Sequence, residues 1–311
     1  MNRTLAVVVT YNRLNMLKKC IDCILSQDAA CDLLIVDNAS SDGSGDYCLD
    51  LISKRSDQGR PLSGRKIIYE NTKANLGGAG GFNHGLRRAY ELGYEYAWIM
   101  DDDALAEKNC LSELLKYTDR EFGFLCSAVL WTDGSVCRMN WQRKFYLPKK
   151  RCEHHINDSD IESPEAIRVQ SATFVSLLIP TNVIKTAGLP IKEFFIWCDD
   201  IEYTRRIALK YALPCYFIPT SRIIHHIANN TGTDLASDSA ERIDRYNYAF
   251  RNENFMYRQY GIKGFIYYIV VCIYNSFKVI TKARSHKGRR LKVIFKNFFS
   301  GLFFNPPVER L

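Results

Sequence analysis

The sequence predicts an α/β protein with a mostly parallel sheet flanked by helices and a helical C-terminal extension. Short β-branched or aromatic runs at 5–10 (LAVVVT), 32–37 (DLLIVD), 65–70 (RKIIYE) and 96–101 (YAWIMD) each end in polar or Gly-containing turns, as strands do. Between them lie stretches of helical spacing, such as Met16, Leu17, Cys20, Ile21, Ile24 and Leu25. Strands that alternate with helices form parallel sheets. Residues 241–311 have a helical, aromatic pattern, so 1–240 and 241–311 are expected as two units.

Periodicity fails over 132–166, which predicts an excursion or mobile loop. It returns at 169–180 (VQSATFVSLLIP), a helix at about 199–212, and an apolar strand from 213 that ends in His225-His226. In parallel sheets ligands bind beyond the carboxyl ends of the strands. The residues there are unusually polar: Thr10-Tyr11-Asn12, Asp37-Asn38, Asn71 and Asp101-Asp102-Asp103. They are expected to share one crevice.

Composition sets the outer limits. With 311 residues, 47% of them hydrophobic and 24% charged, the chain has ample core and is not a disordered segment. Eleven scattered cysteines, one C-x-x-C pair and no completing His argue for buried free thiols rather than zinc. The apolar run at the N-terminus is too short for a signal sequence, so a cytoplasmic protein is expected. The net charge of +8 is uneven: seven Lys or Arg and no acid lie between Lys282 and Lys296, just before FFSGLFF. That pairing suits an anionic membrane surface, with nucleic acid or a solvated helix face as the competing readings. The apolar run at 265–277 falls short of the ~18 residues a bilayer span needs, so peripheral attachment to the inner membrane face is expected, without nucleic acid.

Four clusters carry chemistry. Asp101, Asp102 and Asp103 follow an apolar strand; adjacent anions repel unless a cation or donors compensate, and alternation along an extended chain aims Asp101 and Asp103 the same way. Mg²⁺ or Mn²⁺ fits such ligands, and a helix N-cap is the plainer alternative. Asp199-Asp200, behind an aromatic wall, offer a general base or merely complement a helix dipole. The imidazoles ending the last strand offer a metal ligand or a surface polar group. In NLGGAGGFNHG at 75–85, glycines permit close backbone approach to a diphosphate, and a helix N-terminus follows.

Together VVTYNR (8–13), LLIVDNASSDGS (33–44), NLGGAGGFNHG (75–85), WIMDDDA (98–104), FFIWCDDIEYTRR (194–206) and SRIIHH (221–226) resemble, in order and spacing, the inverting family-two glycosyltransferases of GT-A fold. Within them the chain is most similar to bacterial galactofuranosyltransferases and neighbouring rhamnosyltransferases. The resemblance implies that Thr10, Asn12 and Arg13 border the nucleotide and that Asp37 accepts from its pyrimidine ring. It implies that Asn75, Gly77, Gly78 and Asp102 line the donor. Asp101 and Asp103 match the D-x-D metal ligands, His225 the third ligand in preference to His226, and Asp200 the catalytic base, with Asp199 supporting it. The family's Trp-Asp-Asp is interrupted here by Cys198.

The resemblance implies one displacement on a UDP-sugar, galactofuranose ahead of rhamnosyl or other hexosyl donors, with a lipid-linked or growing glycan as acceptor. A sugar nucleotidyltransferase would need a basic Gly-rich loop after the first strand, where TYNRLNML stands. A non-catalytic glycan-assembly protein would have no use for the full set of acids.

Overall fold

A computed structural model describes residues 3–57, 65–144 and 155–311. The first half alternates strand and helix: β1 (Thr4–Thr10), α1 (Leu14–Leu25), β2 (Asp32–Asp37), α2 (Ser44–Asp57), β3 (Ile67–Asn71), α3 (Gly77–Glu91) and β4 (Tyr96–Asp101). Then come β5 (Ala104–Ala106), α4 (Cys110–Leu115), β6 (Leu125–Leu130), β7 (Arg143–Lys144), α5 (Asp158–Ile161), β8 (Ile167–Ser171), β9 (Leu177–Pro180), α6 (Thr181–Ala187), α7 (Asp199–Arg205) and β10 (Tyr216–His225). The chain closes with α8 (Tyr246–Arg258), α9 (Gly261–Lys282) and α10 (Lys287–Phe303).

Among the described residues the strands form one ten-stranded sheet in the order β3-β2-β1-β4-β9-β6-β10-β8-β7, with β5 on β10. The expected parallel sheet is its first part: β1 runs parallel to both β2 and β4, and β2 to β3. Beyond β4 the sheet is mixed, because β9 enters antiparallel between β4 and β6. β1 reads as a continuous apolar run because it is covered on both faces. Leu5, Val7 and Val9 face one core, and Ala6 and Val8 the other. Helix α1 adds Leu17, Cys20, Ile21 and Ile24 to the second core, the spacing of one helical face. Of the ten cysteines described, eight are buried and all are free, so they pack as small hydrophobes.

Three sequence expectations change. The excursion at 132–166 contains a 3₁₀ turn (Arg138–Asn140), β7 and α5, while 145–154 lie outside the described residues. The glycine run is not a loop before a helix; α3 begins at Gly77 itself. A Cβ on Gly81 would stand 2.4 Å from Val9 Cγ1, and one on Gly85 2.3 Å from Val7 Cγ1. Those glycines let α3 lie close on β1. The apolar stretch at 265–277 is part of a 22-residue helix, α9, long and apolar enough by length and composition to cross a membrane. The sequence count stopped at Gly264 and Lys278, while the helix continues beyond both and through the polar Asn275 and Ser276 between them. Both side chains donate to carbonyls one turn back, Val271 O at 2.9 Å and Cys272 O at 2.8 Å, so the helix runs through them.

Overpacking at the α3–β1 contact is expected to lower stability by about 1–3 kcal/mol for Gly85→Ala. Gly78, with nothing within 4 Å of its Cβ position, should accept Ala without loss. Denaturant midpoints of the two variants check the contrast, and equal midpoints would refute it.

Candidate active site

The parallel strands bring their carboxyl ends to one edge. Thr10 pairs in register with Asp37, Asp37 with Asn71, and Val9 with Asp101. The polar strand ends therefore share one crevice.

Asp101 ends β4, and Asp102 and Asp103 form the turn into β5 rather than continuing the strand. Their side chains still divide. Asp102 Oδ2 accepts from Thr10 Oγ1 at 2.6 Å. Asp101 and Asp103 converge with His225, with candidate ligand atoms all within 4.8 Å of one another. His225 gets there because β10 pairs with β5, placing His225 opposite Ala104, and because His226 N donates to Asp103 O at 2.9 Å. His225 is buried and His226 exposed. Arg13, at the start of α1, donates to Asp103 Oδ2 and lies 3.7 Å from Asp102 Oδ1.

The charges respond to this crowding. Burial, then Asp103, pushes Asp101 up to about 7. Burial pushes Asp102 up to about 6 against the Thr10 bond. Burial acts on Asp103 too, but His225 and Arg13 outweigh it and hold its carboxyl low. His225 resists its own desolvation through Asp103 and rises to about 10.

The imidazole is oriented from behind by Asn140. Asn140 Nδ2 donates to Thr173 Oγ1 at 3.0 Å, which leaves Oδ1 to accept from His225 Nδ1 at 2.7 Å. Nε2 therefore faces Asp103, at 3.0 Å from Oδ1. Two carboxylates and one Nε2, oriented by a buried amide, form a hard donor set that fits Mn²⁺ or Mg²⁺. Asn140 sits in the aperiodic excursion, so no sequence pattern marks it.

The other predicted residues line the same edge. Asn12, at φ 54°, donates from its backbone to Ser40 Oγ (2.9 Å) and accepts at Oδ1 from Ser41 N (2.7 Å). Asn75 Oδ1 accepts from Gly77 N at 2.9 Å, and Gly78 stands open beside it. Asp37 is wholly buried, its oxygens accepting from Tyr69 Oη (2.7 Å), Asn71 Nδ2 (3.4 Å) and Ser40 N (2.8 Å). Asn38, one of the polar strand ends expected at this edge, donates to Gly77 O at 2.9 Å.

Asp199 and Asp200 open α7 after a strained approach: Phe195, Trp197 and Cys198 all have φ between 65° and 68°. Non-glycine residues hold such angles only where their surroundings enforce them. Asn252 of α8 is the enforcer, its Nδ2 lying 3.0, 3.2 and 3.0 Å from the carbonyls of Phe194, Ile196 and Trp197. Phe195 stacks on Tyr248 (4.8 Å) and Trp197 meets Tyr246 edge-on (5.0 Å). The same loop touches the donor side, where Ala79 N donates to Phe195 O at 3.1 Å. Gly77, at φ +68°, has no room for a side chain there, since a Cβ would lie 2.0 Å from Phe195 O. Burial, then Asp200, pushes Asp199 far above the usual carboxylate range, and Asp101 adds to it. Burial raises the half-buried Asp200 to about 6, restrained by the Ile201 amide at 2.7 Å.

The mixed, helix-flanked sheet is the fold of GT-A glycosyltransferases. Residues 5–179 match Glycosyl transferase family 2, and the chain belongs to that family and is a transferase. It is 25% identical over 275 residues to galactofuranosyltransferase GlfT1 of Mycolicibacterium smegmatis, covering 83% of this chain and 84% of that protein. It is 28% identical over 216 residues to GlfT1 of Mycobacterium tuberculosis H37Rv, covering 67% and 65%. The mannosyltransferase PcManGT of Pyrobaculum calidifontis, solved with GDP-Man and Mn²⁺, superposes with a TM-score of 0.57 at 15% identity, covering 97% of this chain and 84% of that one.

Removing the Asn252 clamp leaves buried carbonyls unpaired and frees a strained loop. Asn252→Ala is expected to lose about 2–3 kcal/mol of stability and to lower turnover more than donor affinity. Thermal unfolding and steady-state kinetics check both; unchanged turnover would mean the loop holds its shape without α8.

Proposed function

We propose that this chain transfers galactofuranose, with inversion, from UDP-galactofuranose to a hydroxyl of a lipid-linked or growing surface glycan at the cytoplasmic face of the membrane. The observation that carries the reading is the acid–imidazole trio at the sheet edge, with Asp101 near enough to Asp199 to raise it further. The sugar rests on the relatives named galactofuranosyltransferase and on the NLGGAGGF sequence. On this reading residues 1–240 are the transferase domain and 241–311 the membrane-facing region.

In this mechanism Asp101, Asp103 and His225 would hold Mn²⁺ or Mg²⁺. The ion supplies positive charge against the negative charge that grows on the diphosphate. Thr10 keeps Asp102 out of the trio, and Arg13 borders the phosphates. Asn12, Asn75, Gly77 and Gly78 form the walls around the nucleotide and sugar. Asp37, which takes three protein donors and keeps acceptor capacity, accepts from the pyrimidine ring and fixes the Ser40 loop and Asn71 around it. Asp200 takes the acceptor proton while the hydroxyl attacks the anomeric carbon from the face opposite the leaving group. Asp199, more deeply buried, holds the acceptor hydroxyl in line.

Nucleotide release with Mn²⁺ should be faster from UDP-galactofuranose than from dTDP-rhamnose or UDP-glucose, and chelation should abolish it. Asp101→Ala and Asp103→Ala should remain folded and lose ion-dependent donor binding. Asn140→Ala should keep the ligands but weaken ion affinity by about 10–100-fold. A preference for dTDP-rhamnose would move the chain to the rhamnosyl branch, and donor binding indifferent to chelation would remove the ion from the mechanism.

Asp200 must be ionised to act as a base. With its pKa raised to about 6, the rate should climb as pH rises through that value and level off above it. The profile is taken at saturating Mn²⁺, which keeps Asp101 and Asp103 ionised. Asp200→Asn should lower kcat by about 10²–10⁴-fold, with donor affinity near normal, and Asp199→Asn should be milder. If Asp199→Asn is the inactive variant and Asp200→Asn the active one, the roles are exchanged.

A further inference from the structure

Among the described residues, the outer face of helix α9 has no protein partner. Ile262, Ile266, Val270, Ile273, Phe277 and Ile280 are 53–71% exposed. At about 100° per residue they fall within roughly 80° of the helix circumference. Tyr267 and Tyr274, 54% and 60% exposed, flank the stripe. On α10, Phe295, Phe299 and Phe303 are exposed at intervals of one turn, and Lys292 and Lys296 share that side. The aromatic seam of Phe265, Tyr268 and Phe298 joins the two helices behind these faces.

Charge selects the occupant. Between Glu253 and Glu309 the chain has ten Lys or Arg and no Asp or Glu. Lys263, Lys282, Arg284, Lys287, Lys292 and Lys296 are exposed. Lys278 and Arg289 are paired with Asp234 and Asp244, but the remaining exposed Lys and Arg leave the apolar stripe with a predominantly cationic rim, which repels a second copy of itself and attracts an anionic lipid surface. Tyrosines at the edge of the stripe suit the headgroup level.

The opposite face of α9 decides the orientation. Gly264, Tyr268, Cys272 and Val279 are buried against the neighbouring helices, and Tyr268 Oη donates to Phe250 O at 2.7 Å. Gly264 lies so close to α8 that a Cβ would be 2.2 Å from Tyr257 O. Crossing a bilayer would strip this face from α8.

We propose that α9 lies in the plane of an anionic membrane leaflet, its Ile262–Ile280 stripe in the lipid interface and the basic face of α10 on the headgroups, and that it does not span. The consequence for the active site rests on the lipid-linked acceptor proposed above. Tyr267 meets Tyr257 at 5.1 Å, on the side where Glu253, Arg143 and Arg205 adjoin the Asp200 loop. A carrier lipid would present its head to the base from that side.

The test uses the full-length protein and mixed phosphatidylethanolamine–phosphatidylglycerol vesicles. Flotation is expected, and Ile266→Glu, Ile273→Glu and Phe277→Glu should each weaken partitioning by about tenfold or more. The triple variant should not float, while its circular dichroism and Mn²⁺ binding match the parent. Single Trp substitutions at 262, 270 and 280, read against the parent, should all be quenched by lipids brominated near the headgroup. Deep quenching at 270 with shallow quenching at 262 and 280 would show a spanning helix and overturn the proposal. So would flotation of the triple variant, or a parent that ignores vesicles and self-associates through the stripe. Vesicle binding is read without turnover, so its failure leaves the transferase reading standing.

Discussion

Three consecutive carboxylates at the end of a buried strand set the terms for the rest of the molecule. Such a cluster survives only if each charge is disposed of differently. Thr10 takes Asp102, which requires β1 beside β4. Arg13 and His225 take Asp103, which requires α1 to start at the same edge and β10 to reach across through β5. Even then three negative groups face two positive ones, which leaves one unmatched negative charge and a carboxyl, Asp101, pushed upward. On the proposed reading a divalent ion would complete this balance, and for His225 to serve as a ligand it would first give up the proton shared with Asp103.

The second constraint is mechanical. Three non-glycine residues at positive φ before Asp199 carry roughly 1–3 kcal/mol of strain each, and the groups that hold them belong to α8. The C-terminal helices therefore form a wall of the candidate crevice as well as the outer face. The chain's last residues return to the donor side: Glu309 accepts from Asn83 at 3.2 Å, and its backbone oxygen accepts from Leu189 N at 2.9 Å. The 241–311 region is thus interlaced with the sheet domain.

Much of this was legible in sequence because the signals were local. Strands buried on both faces read as apolar runs, and strand ends read as polar punctuation, so β1 to β4 and the crevice could be placed without coordinates. The preference for His225 over His226 came from the family resemblance, which the residues alone left open; of the two, His225 is the buried one. What failed to show was non-local. Asn140 lies in aperiodic chain and acquires its role only through the fold. Asn252 is an ordinary polar residue in a helical stretch until it meets carbonyls 55–58 positions away. The glycine run carried two meanings at once: Gly77 and Gly78 serve the open edge, while Gly81 and Gly85 serve packing on β1, and composition cannot separate them.

Direct displacement demands that acceptor and leaving group approach from opposite sides, and the layout of the crevice suits that demand. The trio and the N-terminus of α3 lie on the sheet side, where the diphosphate would sit. Asp200 lies on the α8 side, bordered by Arg143, Glu253 and the tyrosines of α8 and α9. The Phe195 loop runs between them, bonded to α3 through Ala79 and to α8 through Asn252. On the proposed reading, donor and acceptor sites would share one strained segment. A shift of α8 against a membrane would then be felt at Gly77 and Gly78, and seating of the donor would tighten the loop before Asp199 and Asp200.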